Sequence, residues 1–347
     1  MELFDNREPI KTTNDEVYDL PWIEKYRPKN FDEMISNNGM IDILRDFIKS
    51  KNLPHLLFYG PPGTGKTSAI MACSKELYKH NKPYMVLELN ASDERGIEVV
   101  RNRIKQFALT GCSFLRKDDN SLPPFKLVIL DEIDAMTDDA QSNLRQILEK
   151  YAHNVRFCLI CNYIKKINPA LISRSVGFRF APLNKDQIMI KLKEIVGKEN
   201  IKSTEKGLKL IVHRSNGDMR RVLNILQSTN MAYGKITEDS VNSCTGYPKQ
   251  KKLDNLIQTM MTKNFETSYK QIYKLKQDYS MALSDLIFEI YELTCQSFYE
   301  KNIFSSWSED KRMDFFINLR NLEYNQIGLS SDYIQLGAFV ALFNINK

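Results

Sequence analysis

A glycine-rich segment around residue 60 has the residue types and spacing of a phosphate-binding loop. It reads Gly-Pro-Pro-Gly-Thr-Gly-Lys-Thr over residues 60–67, a full match to the pattern G-x-x-x-x-G-K-[ST]. The apolar run His55–Tyr59 precedes it and a helical pattern follows, so backbone N–H groups can surround phosphates at the positive end of a helix. The alternative interpretation is a glycine-rich turn with a surface lysine, but the preceding strand and the following helix favour a nucleotide site. Its residues would be Gly60, Pro61, Pro62, Gly63, Thr64, Gly65, Lys66, Thr67 and Ser68.

Two of these loop residues and two carboxylates further along could act on the phosphates directly. Lys66 can reach the β- and γ-phosphates, and the Thr67 hydroxyl can coordinate Mg²⁺. The apolar run Lys126–Leu130 ends in Asp131 and Glu132. In an open parallel sheet, ligands bind at the carboxyl ends of the strands, so Asp131 suits the Mg²⁺ shell and Glu132 suits a base for the attacking water. Acidic residues often cap strands, but together with the loop this pair predicts hydrolysis.

Three further polar residues lie where chemistry is possible, although the local sequence leaves their roles open. Asn162 follows the apolar run Arg156–Cys161, and at that edge of the sheet its amide can hold a water or contact the γ-phosphate. Arg174 follows a helix-like turn at Pro169–Ile172, and Arg220 begins a helical segment. Taken alone, a residue such as Asn162 is more often part of a turn. Arg174 alone is more often a solvated charge on a loop, and Arg220 alone is more often a member of a surface ion pair at the start of a helix.

Apolar runs of strand length alternate with helical patterns over the first half of the chain, which predicts a parallel sheet covered by helices on both faces. The predicted strands are His55–Tyr59, Tyr84–Leu89, Lys126–Leu130, Arg156–Cys161 and Phe178–Phe180. No strand is predicted after Pro182. In this later part of the chain, Gly217 is predicted to end one helix and Asp218 to be the N-cap of the next. The helical patterns are Gly39–Lys49, Asp186–Val196, Glu205–Arg214, Asp218–Asn230, Glu238–Cys244 and Met281–Tyr299.

Length and composition limit the class of protein. The chain has 347 residues, too many for one ordinary core, and 42% hydrophobic with 27% charged residues is typical of a soluble globular protein. No apolar segment approaches the roughly 20 residues of a membrane span. The N-terminus lacks a secretory signal, so we expect an intracellular protein with free cysteines and no membrane partner. Cys158 and Cys161 form a C-x-x-C pair, but they have no companion ligands and are expected to be buried strand residues, not a zinc site.

The order of these features resembles the AAA+ clamp-loader family, and within it the small subunits of eukaryotic replication factor C. The resemblance is strongest from Leu20 to Gln227, and from Pro54 to Phe180 it is closest to the subfamily numbered three in yeast and five in humans. Beside the phosphate loop it rests on WIEKYRP (22–28), LELNASDERG (87–96), DEIDAM (131–136), INPALISR (167–174) and NGDMRR (216–221). The C-terminal third resembles the family only in being helical.

The resemblance implies an α/β fold: a doubly wound, parallel-sheet P-loop AAA+ domain followed by a helical lid and an all-α collar domain. The implied boundaries are 1–20 for a polar N-terminal tail, 21–182 for the nucleotide-binding domain, 183–246 for the lid and 247–347 for the collar, which serves oligomerisation. The bound cofactors would be ATP and Mg²⁺.

The resemblance also implies roles for the residues whose function the local sequence leaves open. Asn162 would be the first sensor and Arg220 the second, while Ile23 and Arg27 belong to a segment that closes over the adenine and phosphates. Arg174 would be an arginine finger that acts on ATP held by the adjacent subunit. The family's Ser-Arg-Cys motif is Ser-Arg-Ser here, a change that affects fine positioning and keeps the charge.

The implied partners are the other subunits of a hetero-pentamer, a sliding clamp and primer–template DNA, and the implied location is the nucleus. The net charge of +6 is compatible with a polyanionic partner. In the helical run Gly96–Ala108, Arg101 and Lys105 are four residues apart and share a face that could follow the DNA backbone. A solvated helix face explains the two charges equally well.

Two other functions are compatible with the motifs. A different AAA+ machine, such as a branch-migration motor or a protein unfoldase, would be expected to form a homo-oligomer. A structural subunit that holds ATP without turnover is the non-enzymatic alternative, and the presence of Lys66, Thr67, Asp131 and Glu132 argues against it.

Overall fold

The computed structural model describes residues 20–35, 38–91, 97–109, 122–296, 298, 303–326 and 331–345. The chain divides into two compact units, Met1–Gly234 and Lys235–Lys347, and buried apolar clusters form within each of them. A search of the described helices finds none with the length and apolar character needed to cross a membrane.

A five-stranded parallel sheet with the strand order β2-β3-β4-β1-β5 forms the centre of the first unit. Leu56 pairs with Cys158 on one side and with Val176 on the other. Because β3, β4 and β1 are neighbours and run in the same direction, their carboxyl ends meet at one edge of the sheet. The strands are Leu56–Tyr59 (β1), Val86–Asn90 (β2), Lys126–Asp131 (β3), Val155–Cys161 (β4) and Val176–Arg179 (β5).

The sheet is buried on both faces, and its side chains alternate between two apolar clusters. Leu56 and Phe58 of β1 belong to one cluster, whereas Leu57 belongs to the other. The predicted α/β class with a doubly wound parallel sheet is therefore confirmed. The same alternation places Cys158 and Cys161 in different clusters, so this pair cannot chelate one ion. Both are free thiols, and the described residues contain no group of three or more His, Cys, Asp or Glu side chains that could hold a metal ion.

Ten helices are described in the first unit, and the last three follow the sheet as a helical lid. The predicted strand Tyr84–Leu89 is wrong at its start: Tyr84 lies in a short helix, where Pro83 in the first turn fixes a helical φ. The helices are Trp22–Lys25 (α1), Asn38–Ser50 (α2), Lys66–Tyr78 (α3), Lys82–Met85 (α4), Ile97–Leu109 (α5), Asp138–Tyr151 (α6), Pro169–Ile172 (α7), Lys185–Lys198 (α8), Glu205–Ser215 (α9) and Met219–Tyr233 (α10).

The predicted N-cap at Asp218 is present. Its Oδ1 accepts hydrogen bonds from the backbone N–H groups of Arg220 at 2.8 Å and Arg221 at 3.2 Å, which satisfies donors that α10 leaves unpaired. Asn216 ends α9 in a left-handed conformation with φ 51°. The lid therefore turns sharply between α9 and α10, and the start of α10 is fixed.

The second unit is built from helices around an aromatic core. Phe304, Phe315, Phe339 and Phe343 are fully buried, and the rings of Phe315 and Phe343 meet edge to face with centroids 4.9 Å apart. Its helices are Glu238–Thr245 (α11), Gln250–Thr262 (α12), Phe265–Tyr279 (α13), Leu283–Gln296 (α14), Glu309–Gln326 (α15) and Asp332–Ile345 (α16).

The expectation of no strands beyond Pro182 is wrong in detail. Two strands of two residues each, Lys202–Ser203 (β6) and Lys235–Ile236 (β7), are present. Segments this short are below the length at which alternation of polar and apolar residues can be recognised.

Candidate nucleotide-binding site

The glycine-rich loop runs from the end of β1 to the start of α3, and two of its glycines are in places where no side chain fits. Gly60 has φ 142°, and a Cβ there would lie 2.1 Å from the carbonyl oxygen of Phe180. Gly63 has φ 67°, and its Cβ would lie 1.6 Å from Oδ1 of Asp218. The loop is therefore held closely between the end of β5 and the start of lid helix α10, and α3 follows it directly with its N–H groups pointing toward the loop.

Lys66, the first residue of α3, is buried and reaches back across the loop. Its Nζ donates hydrogen bonds to the carbonyl oxygens of Gly60 and Pro61, both at 2.8 Å, and to Oδ1 of Asn162 at 2.9 Å. Burial lowers the pKa of the ammonium group, and the nearby Asp131 carboxylate opposes that effect. The lysine is thus fixed in the loop and joined to the carboxyl end of β4.

Thr67 and Asp131 form the candidate metal site. The Thr67 hydroxyl donates to Oδ2 of Asp131 at 2.8 Å, which brings a hydroxyl and a carboxylate oxygen together at the carboxyl end of β3. Oxygen ligands of this kind suit Mg²⁺, which protein sites usually hold by one or two side-chain oxygens together with substrate phosphates. These residues therefore fit the predicted metal.

Glu132 follows Asp131 in a left-handed conformation with φ 57° and ψ 38°, which is uncommon for a residue other than glycine. Its backbone N–H donates to Oδ1 of Asp131 at 2.9 Å, so this turn helps to hold the Asp131 carboxylate in place. Glu132 lines the same cleft as Lys66 and Thr67. The turn thus redirects the chain at the end of β3 while Glu132 remains at the site.

Asn162 lies directly after β4, and a residue that the motif reasoning missed holds it there. Oδ2 of Asp134 accepts hydrogen bonds from the backbone N–H groups of Asn162 at 3.2 Å and Tyr163 at 3.1 Å. Asp134 is the fourth residue of the DEIDAM segment, so the sequence showed that it belongs to a motif. The sequence did not show that its partners are the backbone N–H groups after β4. The turns after β3 and β4 are therefore fixed to each other.

The surrounding cleft has walls from the N-terminal segment, the loop, the strand ends and the lid. Its lining includes the predicted residues Ile23, Arg27 and Arg220. Gly60 and Pro61 are not in the lining, but their carbonyls hold Lys66. Sequence reasoning missed several apolar and aromatic residues of the lining: Tyr26, Pro28, Met34, Ile35, Leu183, Met219 and Leu223.

Arg174 is outside this cleft, on the loop between α7 and β5. Its Nε forms an ion pair with Oε1 of Glu149 at 2.8 Å, and one of its terminal nitrogens donates to the carbonyl oxygen of Ala170 at 2.9 Å. The side chain is 39% exposed. The structure thus separates Arg174 from the other catalytic candidates of its own chain.

The two candidate DNA contacts are only partly described. Lys105 is exposed on α5, as both the DNA-binding and the solvated-face interpretations require. The side chain of Arg101 lies outside the described residues. The segment 116–124, which is charged and then Pro-rich, predicts a loop before β3, and its residues 116–121 also lie outside the described residues.

Comparison with known proteins gives three consecutive family matches along the chain. Residues 56–183 match the ATPase family associated with various cellular activities (AAA). Residues 191–231 match the RCF1/5-like, AAA+ ATPase lid domain, and residues 248–342 match the replication factor C C-terminal domain.

Several whole proteins are similar to this chain over almost their full length. Replication factor C subunit 5 of Mus musculus is 45% identical over 94% of this chain and 93% of its own length. Replication factor C subunit 5 of Homo sapiens is 44% identical over 95% of this chain and 93% of its own length. Replication factor C subunit 3 of Saccharomyces cerevisiae is 41% identical over 93% of this chain and 94% of its own length. A RuvB variant of Thermotoga maritima has a similar fold, with 13% identity and a TM-score of 0.50 over 71% of this chain and 85% of its own.

Proposed function

The chain belongs to the replication factor C family of AAA+ ATPases, and we propose that it acts as a clamp-loader subunit that uses ATP to open a sliding clamp and load it at primer–template junctions. The predicted resemblance to the subfamily numbered three in yeast and five in humans is confirmed by relatives that match over more than nine tenths of the chain. A different AAA+ machine is not favoured, because the similarity to RuvB is one of fold alone.

The observation that carries the ATPase function is the convergence of Lys66, Thr67, Asp131, Glu132 and Asn162 at adjoining strand ends in one cleft. In the proposed mechanism Lys66 and the loop N–H groups bind the phosphates, and Asn162 contacts the γ-phosphate or the attacking water. Glu132 orients that water and accepts its proton. These steps transfer the phosphoryl group to water.

Thr67 and Asp131 would hold Mg²⁺, which supplies positive charge to the phosphate oxygens when bound. Arg220 would reach the phosphates from the lid, and Ile23 and Arg27 would close over the nucleotide. Arg174 would complete the site of a neighbour, because a guanidinium outside its own cleft can stabilise a transition state only in another chain.

The family acts in a multi-subunit complex, and for this chain we propose a hetero-pentamer in the nucleus that serves replication and repair. In this scheme 21–182 binds the nucleotide, 183–246 is the lid, 247–347 assembles the collar, and 1–20 is a tail. The sliding clamp and primer–template DNA would be the other partners.

Isolation of the native complex should recover this chain with four different subunits. A tagged chain purified at its natural level, with the complex sized by light scattering and its subunits identified by mass spectrometry, measures this directly. A ring made of this chain alone would contradict the proposed function and favour a homo-oligomeric machine.

Arg101→Ala and Lys105→Ala should each weaken binding of the assembled complex to primer–template DNA, equally for unrelated sequences. Contacts to the DNA backbone carry no base information, and the loss of one lowers the slope of log affinity against log salt by about one unit. Affinity titrations over a range of salt concentrations test this, with Lys209→Ala as the control because Lys209 pairs with Glu205 at 3.0 Å on the lid. Unchanged slopes would assign both residues to a solvated face.

A further inference from the structure

The N-terminal segment Trp22–Pro28 is fastened to the helical lid by hydrogen bonds to Glu199 and Gln227, neither of which lines the nucleotide cleft. Glu199, which directly follows α8, accepts hydrogen bonds from Nζ of Lys25 at 2.5 Å and from the Tyr26 hydroxyl. A second attachment joins the backbone N–H of Trp22 to Oε1 of Gln227 in α10 at 3.0 Å. The segment is therefore tied to two lid helices that are about 170 to 200 residues away in sequence.

The contacts at Glu199 are shielded from solvent, unlike most ion pairs of this lid. The side chain of Lys25 is 24% exposed and that of Glu199 is 19% exposed, whereas Lys209 and Glu205 are 66% and 65% exposed. Burial raises the pKa of the Glu199 carboxyl, but the hydrogen bonds from Lys25 and Tyr26 outweigh it and lower that pKa overall. Burial and the Glu199 carboxylate raise the pKa of Tyr26, so its hydroxyl remains a donor. Both contacts are thus charge-assisted hydrogen bonds.

Tyr26 connects this attachment to the cleft. It lines the cleft beside Arg27, while Leu223 lines it from the lid. The ring of Tyr26 also meets that of Trp22 edge to face, with centroids 6.4 Å apart. Fixing the hydroxyl of Tyr26 on the lid therefore fixes the wall that the N-terminal segment contributes.

We propose that Glu199 is a positioning residue for nucleotide binding, which holds Tyr26 and the N-terminal segment against the lid so that the two walls of the cleft move as one. The proposal rests on the proposed function, because it assumes that ATP occupies this cleft. Glu199 is not among the residues that line the cleft, and the side-chain hydrogen bonds described for it come from Lys25 and Tyr26, so its effect is on the shape of the site and not on the reacting atoms.

Glu199→Ala should raise the Kd for ATP about tenfold, as expected when the binding-competent arrangement falls to about a tenth of the molecules. The Kd for ADP should rise by the same factor, because the attachment is remote from the γ-phosphate. In the rebuilt complex the KM for ATP should rise while kcat at saturating ATP stays constant, the signature of lost uniform binding. Calorimetric titration of the full chain with ATP and with ADP measures both affinities. Glu205→Ala, which removes an exposed lid carboxylate paired with Lys209, is the matched control.

Tyr26→Phe provides a second route that leaves Glu199 and its contact with Lys25 in place. The double variant with Glu199→Ala should weaken ATP binding by less than the product of the two single effects, because both remove the same hydrogen bond. Independent, fully multiplicative effects, or wild-type affinity in Glu199→Ala, would overturn the proposal. A wild-type chain that bound no ATP would instead overturn the proposed function, so the two failures are distinguishable.

Discussion

Lys66→Ala should abolish tight ATP binding. In the structure the ammonium group has three oxygen partners in the loop and at Asn162, and in the complex with ATP it would contact the β- and γ-phosphates. Two charge-assisted hydrogen bonds of about 1.5–3 kcal/mol each correspond to a loss of roughly 10²–10⁴-fold in affinity. Equilibrium titration of the isolated chain with ATP measures the loss. Lys75→Ala, on the exposed side of the same helix, should bind ATP as the wild type does.

Glu132→Gln separates binding from chemistry at the same site. The glutamine retains the size of the side chain but cannot accept a proton from water, so ATP should remain bound while turnover of the complex falls by about 10²–10⁴-fold. If Glu132→Gln lost ATP as completely as Lys66→Ala, the assignment of Glu132 to water activation would be wrong. Thermal unfolding of both variants without nucleotide serves as the check on folding.

The parts of the site that the sequence predicts are those where function is encoded locally. The phosphate loop requires glycine at Gly60 because the backbone there passes within contact distance of Phe180, and Gly60 is a fixed position of the motif. Gly63, which lies against Asp218, is at a variable position of the motif, so the structure alone shows why it is glycine. Asp131 is likewise recognisable, since an apolar strand ending in a carboxylate is a local pattern. The parallel sheet follows from such runs because its central strands β1, β3 and β4 are buried on both faces.

The parts that the sequence does not predict depend on contacts between distant segments. Glu199 has no local feature that distinguishes it from other lid carboxylates, and its role depends on Lys25 and Tyr26 lying against it. The pairing of Asp134 with the chain after β4 is similar, since only the fold places the two turns side by side. Motif reasoning finds residues that touch ligands, whereas supporting contacts are defined by three-dimensional neighbours.

The helical second unit illustrates the same limit for the core. In α16 the residues Leu336, Phe339, Val340 and Phe343 are all buried, but the rest of the helix is also largely apolar, so its pattern does not indicate which face is inward. The aromatic cluster joins Phe304, Phe315 of α15 and Phe343 of α16, so it forms only when these consecutive segments pack against one another. Helix content was therefore predictable, and the packing was not.

Arg174→Ala should leave the chain's own ATP affinity nearly intact and lower hydrolysis at one neighbouring site by about 10³–10⁵-fold, the effect of losing an arginine finger supplied in trans. The geometry supports this direction. Arg174 is outside the cleft, and Glu149 and the carbonyl of Ala170 hold part of its guanidinium while the side chain remains exposed. Since the site of the isolated chain lacks a finger from another subunit, the wild-type chain alone should be a poor ATPase.

Two measurements decide the role of Arg174: ATP titration of the isolated variant, and turnover by the complex rebuilt with it. Lys150→Ala is the control because Lys150 is an exposed cation next to Glu149 on α6. Arg174→Lys should recover little activity, because a lysine keeps the charge but not the planar fork that matches phosphate oxygens. Loss of the variant's own ATP binding would mean that Arg174 acts in cis. Full-rate hydrolysis by the lone wild-type chain would mean that its site needs no neighbour, and the trans mechanism would be wrong.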